Sequence, residues 1–292
     1  MVARHSPCLG ICQLDDATGL CVGCGRSGGE IGEWISMSDS DRDQVWAKLP
    51  ERRAALAIRV QLQPWTRNEL IQWAERTISD RLGTWVTGAP GAIAEFPCTT
   101  DRNIDVETTP DAIVAHASHA SFRLRVSDKV RAFTFANEGA VVLGLPKARA
   151  RLKSNSVLQE LGMDVDAIDD RHRDEKLFDL GIGRKGSRFC IRTADMALAK
   201  IVSDQIGRHW SEVMPAIGTQ LRADAPTRIV ESAAARIEVF APIPISEAKF
   251  PSGTHTCFFP ADLKSGEEIS AGLALPEFAL PVAIFYPHTM PA

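Results

Sequence analysis

Two hydrophobic periods divide the chain. From residue 84 onward apolar and polar residues alternate with period two. TWVTGAPGAIAEF (84–96), DAIVAHASHASFRLRVS (111–127), KVRAFTFA (129–136) and EGAVVLGLP (138–146) read as strands joined by short polar turns. Links this short favour antiparallel pairing. A mostly helical middle is expected next. NSVLQELG (155–162) reads as a short helix, and TADMALAKIVSDQIG (193–207) as a longer one capped by Thr193 and stopped near Gly207. WSEVMPAI (210–217) reads as a brief helix, SRFCIRT (187–193) as a strand and TRIVESAAARIEVFAPIPI (227–245) as a hairpin. Strands segregated from helices predict an α+β fold with a mainly antiparallel sheet.

Before residue 84 the period is helical. GEIGEWISM (29–37) is a turn or two, with Ile31, Trp34 and Ile35 on one face. Ser38 and Asp41 form an S-x-x-D cap on DSDRDQVWAKL, which Pro50 stops or restarts. ERRAALAIRVQLQ (51–63) reads as a second helix. TRNELIQWAERTISDRLG (66–83) is a third, with Leu70, Ile71, Trp73, Ala74 and Ile78 inward and Gly83 as its stop. Three units follow: a module at 1–53, a helical bridge at 54–83 and an α+β domain at 84–292. The bridge lacks the Gly, Ser and Pro of a flexible linker, so it is expected to hold the two parts in fixed orientation.

Composition changes this picture in one place. The 292 residues carry a net charge of -4 and ordinary apolar and charged fractions. That balance gives no reason to expect nucleic acid or an acidic membrane as partner. The start, MVARHSPCLGICQ, has no apolar core of a signal peptide, and GLALPEFALPVAIFYP is broken by Pro276, Glu277 and Pro281. A cytoplasmic address without membrane insertion is the expectation, and thiols there stay reduced. Yet four of the seven cysteines, Cys8, Cys12, Cys21 and Cys24, fall within 17 residues.

Their spacing is C-x3-C-x8-C-x2-C. In CVGCG two thiolates can grip one ion from a tight turn, and Gly25 can adopt the positive φ that turns N–H groups toward sulfur. Gly10 allows a similar bend in CLGIC. Asp15, Asp16 and Gly19 suit a turn that lets the pairs face each other. Free or disulfide-bonded cysteines are the weaker reading. Four thiolates around a divalent cation leave a charge near -2, which Arg4, Arg26 and His5 lie close enough in sequence to offset. A tetrahedral four-thiolate site suits zinc, and the spacing matches neither common ferredoxin pattern.

SPCLGIC followed by GLCVGCGRSGGEIGEWISMSDSDRDQVWAKLPER resembles a small bacterial family of unknown function, commonly labelled a predicted iron–sulfur protein. The resemblance covers about residues 5–53, with the cysteines, the glycines, Trp34 and Leu49-Pro50 in order. It implies four metal ligands and no reaction, and it keeps zinc and an iron–sulfur cluster both open. Residues 84–292, with FDLGIGR, SRFCIRT and RIEVFAPIP, resemble an uncharacterised bacterial domain.

Other motifs are weaker. Gly181-x-Gly183-x-x-Gly186 matches a dinucleotide fingerprint by letter, but a strand follows it where a helix is required, so no nucleotide cofactor is expected. Gly181, Gly183 and Gly186 with Arg184, Lys185 and Arg188 could form a backbone nest for an anion. His116 and His119 in HASHA would face opposite sides of a strand. His255 and Cys257 would share a face and could join Asp262 or His288 in a second metal or nucleophile site. Cys98 and Cys190 sit in apolar contexts and read as inert. Lys147, Arg149, Arg151 and Lys153 would form a solvated basic stripe on an extended chain.

The leading expectation is a non-enzymatic metal-binding protein, a docking or assembly component with a protein partner. The alternatives are an iron–sulfur electron-transfer component, and an enzyme or binder of small anions using the turn at 181–188.

Overall fold

The computed structural model describes residues 5–89, 92–98, 103–136, 138–153, 156–182, 186–243, 256–258 and 273–288. Two antiparallel sheets form the body of this α+β protein. The helices are α1 (Gly28–Glu33), α2 (Asp39–Ala55), α3 (Arg67–Ser79), α4 (Lys147–Ala150), α5 (Met196–Ser203) and α6 (Trp210–Asp224). The early strands are β1 (Val60–Leu62), β2 (Gly83–Ala89), β3 (Ala92–Pro97), β4 (Asp105–Thr108), β5 (Ala112–His116), β6 (Ala120–Arg125), β7 (Arg131–Phe135) and β8 (Glu138–Pro146). The later ones are β9 (Gln159–Met163), β10 (Lys176–Asp179), β11 (Ser187–Thr193), β12 (Thr227–Ser232), β13 (Ala235–Val239), β14 (Thr256–Phe258) and β15 (Ala279–Pro287). The first sheet runs β1-β7-β8-β15-β2-β3-β14 and the second β4-β5-β6-β13-β12-β11-β10-β9.

The sheets face each other, β2 and β3 lying against β11, β12 and β13. Alternation decides what meets there. Trp85, Phe96, Phe122, Phe189, Val230 and Ile237 point inward and are buried, joined by Leu70 and Ile78 of α3 and by Leu198, Val213 and Leu221 of α5 and α6. Trp85 stacks on Phe122 at 5.3 Å and donates from Nε1 to Thr77 Oγ1 at 2.9 Å, so its one polar atom is satisfied.

The opposite face of the first sheet is also apolar. Val86, Phe133, Phe135, Val142 and Ile284 lie there, under Leu9 and Leu62. Leu9 sits between Cys8 and Gly10, so the cysteine segment is anchored on the body by a buried side chain. Leu9→Ala is expected to cost roughly 2–5 kcal/mol in urea unfolding, as for other buried leucines. A loss below about 0.5 kcal/mol, the range of ordinary surface changes, would mean that the segment does not pack there.

Several elements differ from the pattern reading. α2 continues through Pro50 to Ala55, because Val45, Trp46, Leu49 and Arg53 form one buried stripe across it. Burying that stripe outweighs the roughly 3 kcal/mol that an interior proline costs. Residues 51–63 are therefore the end of α2, a turn with Ala57 at φ +50°, and strand β1 paired to β7. α3 stops at Ser79 with Arg81 at φ +59°, rather than at Gly83. Gly83 opens β2, where a Cβ would lie 2.1 Å from the Tyr286 carbonyl oxygen.

Residues 159–163 are strand β9, paired to β10, not a helix; a run that short fits either period. α5 is capped by Asp195, whose carboxylate accepts from Ala197 and Leu198, and it ends at Ser203. α6 runs 15 residues, past Pro215, because Val213, Ile217 and Leu221 all bury. HASHA bends into the β5–β6 hairpin, and KARA is a helical turn, so neither the histidine pair nor the basic stripe lies on one extended strand.

Candidate metal centre

The cysteine segment is built from turns. Leu14 bridges Cys21 and Leu20 bridges Ser27, so residues 14–27 fold back on themselves. Asp15 Oδ1 accepts from the Thr18 amide at 2.8 Å and its hydroxyl at 2.7 Å, with Gly19 at φ +66°. At the second pair the amides of Cys24 and Gly25 both donate to the Cys21 carbonyl, at 3.2 and 2.7 Å, and Gly25 takes φ +79°. At the first pair Gly10, at φ +77°, aims its amide at Cys8 Sγ, 3.3 Å away.

The thiols meet two by two. Cys8 and Cys12 lie close enough to influence each other's ionisation, as do Cys21 and Cys24, and Cys12 also lies within electrostatic reach of Cys21. Cys12 is exposed, Cys8 is half-buried, and Cys21 and Cys24 are buried. Neighbouring charge on Cys8 raises the Cys12 thiol. Burial opposes ionisation of Cys21, but the amides of Gly23 and Cys24 and the Cys24 thiol outweigh it, and its pKa is lowered. Burial raises Cys24 against the pull of Arg26. Among the described residues no three His, Cys, Asp or Glu side chains stand together as a closed ligand set. The two pairs are adjacent and open.

Two buried arginines flank the second pair. Arg26 Nε lies 3.5 Å from Cys24 Sγ, with the guanidinium 4.8 Å over the Trp34 ring. Arg53 donates to the Cys24 carbonyl at 3.2 Å and the Leu62 carbonyl at 3.3 Å, over the Trp46 ring at 5.3 Å. Burial brings its pKa down to about 10, and Arg26 pushes the same way. Neither guanidinium pairs with a carboxylate among the described residues. Arg52, by contrast, is paired to Glu30, which completes the capping box of α1 with Ser27.

Of the cations close in sequence to the cysteines, Arg26 is in place and Arg4 lies outside the described residues. His5 serves another purpose: its carbonyl accepts from Trp46 Nε1 and its Nδ1 meets Arg131, tying module to body. Arg53 escaped the sequence reading because it lies 29 residues beyond Cys24 and α2 alone brings it back.

The other candidates are dispersed. The Gly181 amide donates to Asp179, and Arg188 turns its Nε onto Glu231 across β11 and β12. Gly183, Arg184 and Lys185 lie outside the described residues; Gly186 immediately precedes β11. Cys257 is buried on β14 beside Arg228, its thiol pushed up to about 12 by burial, while His255 and Asp262 lie outside the described residues. His288 is paired to the Cys98 carbonyl at 3.0 Å. Burial raises Cys98 to about 12 and also raises Cys190. No helix among the described residues is long and apolar enough to cross a membrane.

Residues 69–291 match the model of a family of unknown function, DUF6925, and residues 6–53 match that of a protein of unknown function, DUF1289. The chain is 44% identical over 56 residues to the uncharacterized protein YdhL of Escherichia coli O6:H1, covering 19% of this chain and 68% of that protein. It is 50% identical over 41 residues to YdhL of Escherichia coli K12 and of Shigella flexneri, covering 14% of this chain and 51% of each. The chain thus spans about half to two thirds of the relatives it matches. No solved structure matches it.

Proposed function

The chain belongs to the DUF6925 family of unknown function, and from that footing we propose that it is a metal-binding protein whose Cys8, Cys12, Cys21 and Cys24 hold one zinc ion or one iron–sulfur cluster. The observation that carries this is the pair of buried guanidiniums, Arg26 and Arg53, set against Cys24 with no carboxylate on either among the described residues. Buried charge needs an opposite partner. Four thiolates around a divalent centre supply net negative charge at that spot. The Gly10 N–H already points at the Cys8 sulfur, as a thiolate ligand requires. When bound, the metal supplies cross-linking of the two pairs.

In this reading residues 1–53 are a clasp seated on the body, to which β1 and α3 of the expected bridge at 54–83 already belong. The clasp is structural, and the exposed Ile11 and Leu14 of the cysteine loop favour a protein partner there. The exposure of Cys12 favours a second reading, an iron–sulfur electron-transfer unit with one ligand at the surface.

Elemental analysis and an absorption spectrum of anaerobically purified protein test both. One zinc per chain without colour is the outcome expected of a clasp. Iron with matching labile sulfide and reversible bleaching by dithionite would support the second reading. Protein free of both metals would overturn the assignment.

A further inference from the structure

The outward face of the second sheet carries a row of charge. Arg188, Glu231, Arg236 and Arg123 sit directly opposite one another on β11, β12, β13 and β6. The segment after β9 crosses this row and lowers carboxylates onto it. Asp164 caps Arg236, and Asp166 caps Arg123 at 2.8 Å. Arg236 is saturated, since Glu238 holds its Nε at 2.7 Å and Glu231 its third nitrogen at 2.9 Å.

Arg188 is the exception. Its Nε meets Glu231, but its two terminal nitrogens have no partner among the described residues. No carboxylate from the crossing segment reaches it. A cleft of about 230 Å³ opens over it instead. Leu161, Met163, Val165 and Leu177 wall that cleft. Met163 and Val165 are 54% and 75% exposed, so half of the apolar wall faces water.

We propose that this cleft binds a small aliphatic monocarboxylate, whose carboxylate caps Arg188 as Asp164 and Asp166 cap its neighbours. A planar carboxylate matches two guanidinium N–H donors at once. The tail covers the Leu161, Met163, Val165 and Leu177 wall. The cleft is smaller than the roughly 300–1,000 Å³ typical of drug-sized ligands, which sets the size of the acid. Asp164 and Asp166 line the same space and would repel a dianion such as phosphate. The site lies apart from the cysteines and does not depend on their metal.

Calorimetry with 4-methylpentanoate, 4-methylpentanamide and inorganic phosphate at constant ionic strength tests this on the full chain. The acid is expected to bind at millimolar concentration or below and to raise the melting temperature. The amide and phosphate are expected to do neither. Arg188→Gln should weaken the acid about tenfold or more, the usual effect of losing a charged hydrogen bond. Because Glu231 loses a partner in that variant, Val165→Asp provides the independent arm. It sits at an exposed position, should keep the unliganded melting temperature, and should abolish binding by placing a carboxylate in the cleft. Acid that fails to bind the wild type, amide or phosphate that binds equally well, or Val165→Asp that binds like the wild type would each overturn the proposal.

Discussion

Replacing Cys21 and Cys24 together by serine is expected to abolish the metal binding proposed for this segment and to unfold the N-terminal clasp while the two sheets persist. The reason is the size of the local core. Around the cysteines, among the described residues, Trp34, Val45, Trp46 and Leu49 are buried as one small cluster, with Met37 against them. So small a core does not sustain a fold without a staple. Structural zinc contributes on the order of 10–16 kcal/mol of binding energy in small zinc-dependent units. Losing the thiolates also strands Arg26 and Arg53, two like charges already close enough to repel. Metal analysis and hydrogen exchange read the result separately. Amides of α1 and α2 should lose protection, and those of β11, β12 and β13 should keep it. Replacing Cys98 instead should leave the metal content unchanged. A double variant that retained a full equivalent of metal would remove Cys21 and Cys24 from the ligand set.

The second large effect lies in the buried charge row. Arg236→Met is expected to destabilise the chain by about 3–5 kcal/mol at neutral pH, because Asp164, Glu231 and Glu238 all lose a partner while remaining buried. The pH dependence has a definite sign. Burial alone would raise the Glu238 carboxyl, but Arg236 and Arg192 outweigh it and hold the folded value below the ordinary one. In the wild type that stabilisation is complete above the ordinary glutamate range and fades as pH falls through the depressed folded value. In the variant burial gains the upper hand and lifts the folded value, so its deficit is relieved as Glu238 takes up a proton. The gap between wild type and variant should therefore be widest near neutral pH and narrow toward pH ~4. Urea unfolding at several pH values measures it. A gap that stays constant with pH would mean that the row carries no buried charge.

What could be read in the sequence was what lies close along the chain. The turns of the cysteine segment, the α3 face at Leu70, Ile71, Ala74 and Ile78, the strand at 187–193 and the hairpin of β12 and β13 depend on spacings of a few residues. The charge row does not. In SRFCIRT and RIEV each arginine or glutamate occupies the polar position of an alternating strand, which ordinarily faces water. Only the segment at 164–168 passing overhead turns those positions into buried ones, with the Ile168 amide donating to Glu238 at 3.0 Å. Alternation likewise says which residues share a face, but not which sheet a strand joins. Short links make the antiparallel pairing legible, but not its division into two facing sheets. Pro50 gives a local reason for α2 to stop or restart, and a non-local one, the burial of Arg53 against the Cys24 carbonyl, carries the helix past it.

The place of β15 bears on how the chain reaches this state. Residues 279–287 lie in the middle of the first sheet, between β8 and β2, and not at its border. During synthesis, β8 ends at residue 146 and β2 at residue 89, while their shared partner does not begin until residue 279. Until then each presents an unpaired edge, and Trp85 and Phe285 cannot meet. The sheet therefore closes last and over a long sequence separation, which slows folding and leaves the nascent chain in need of protection from edge-to-edge association.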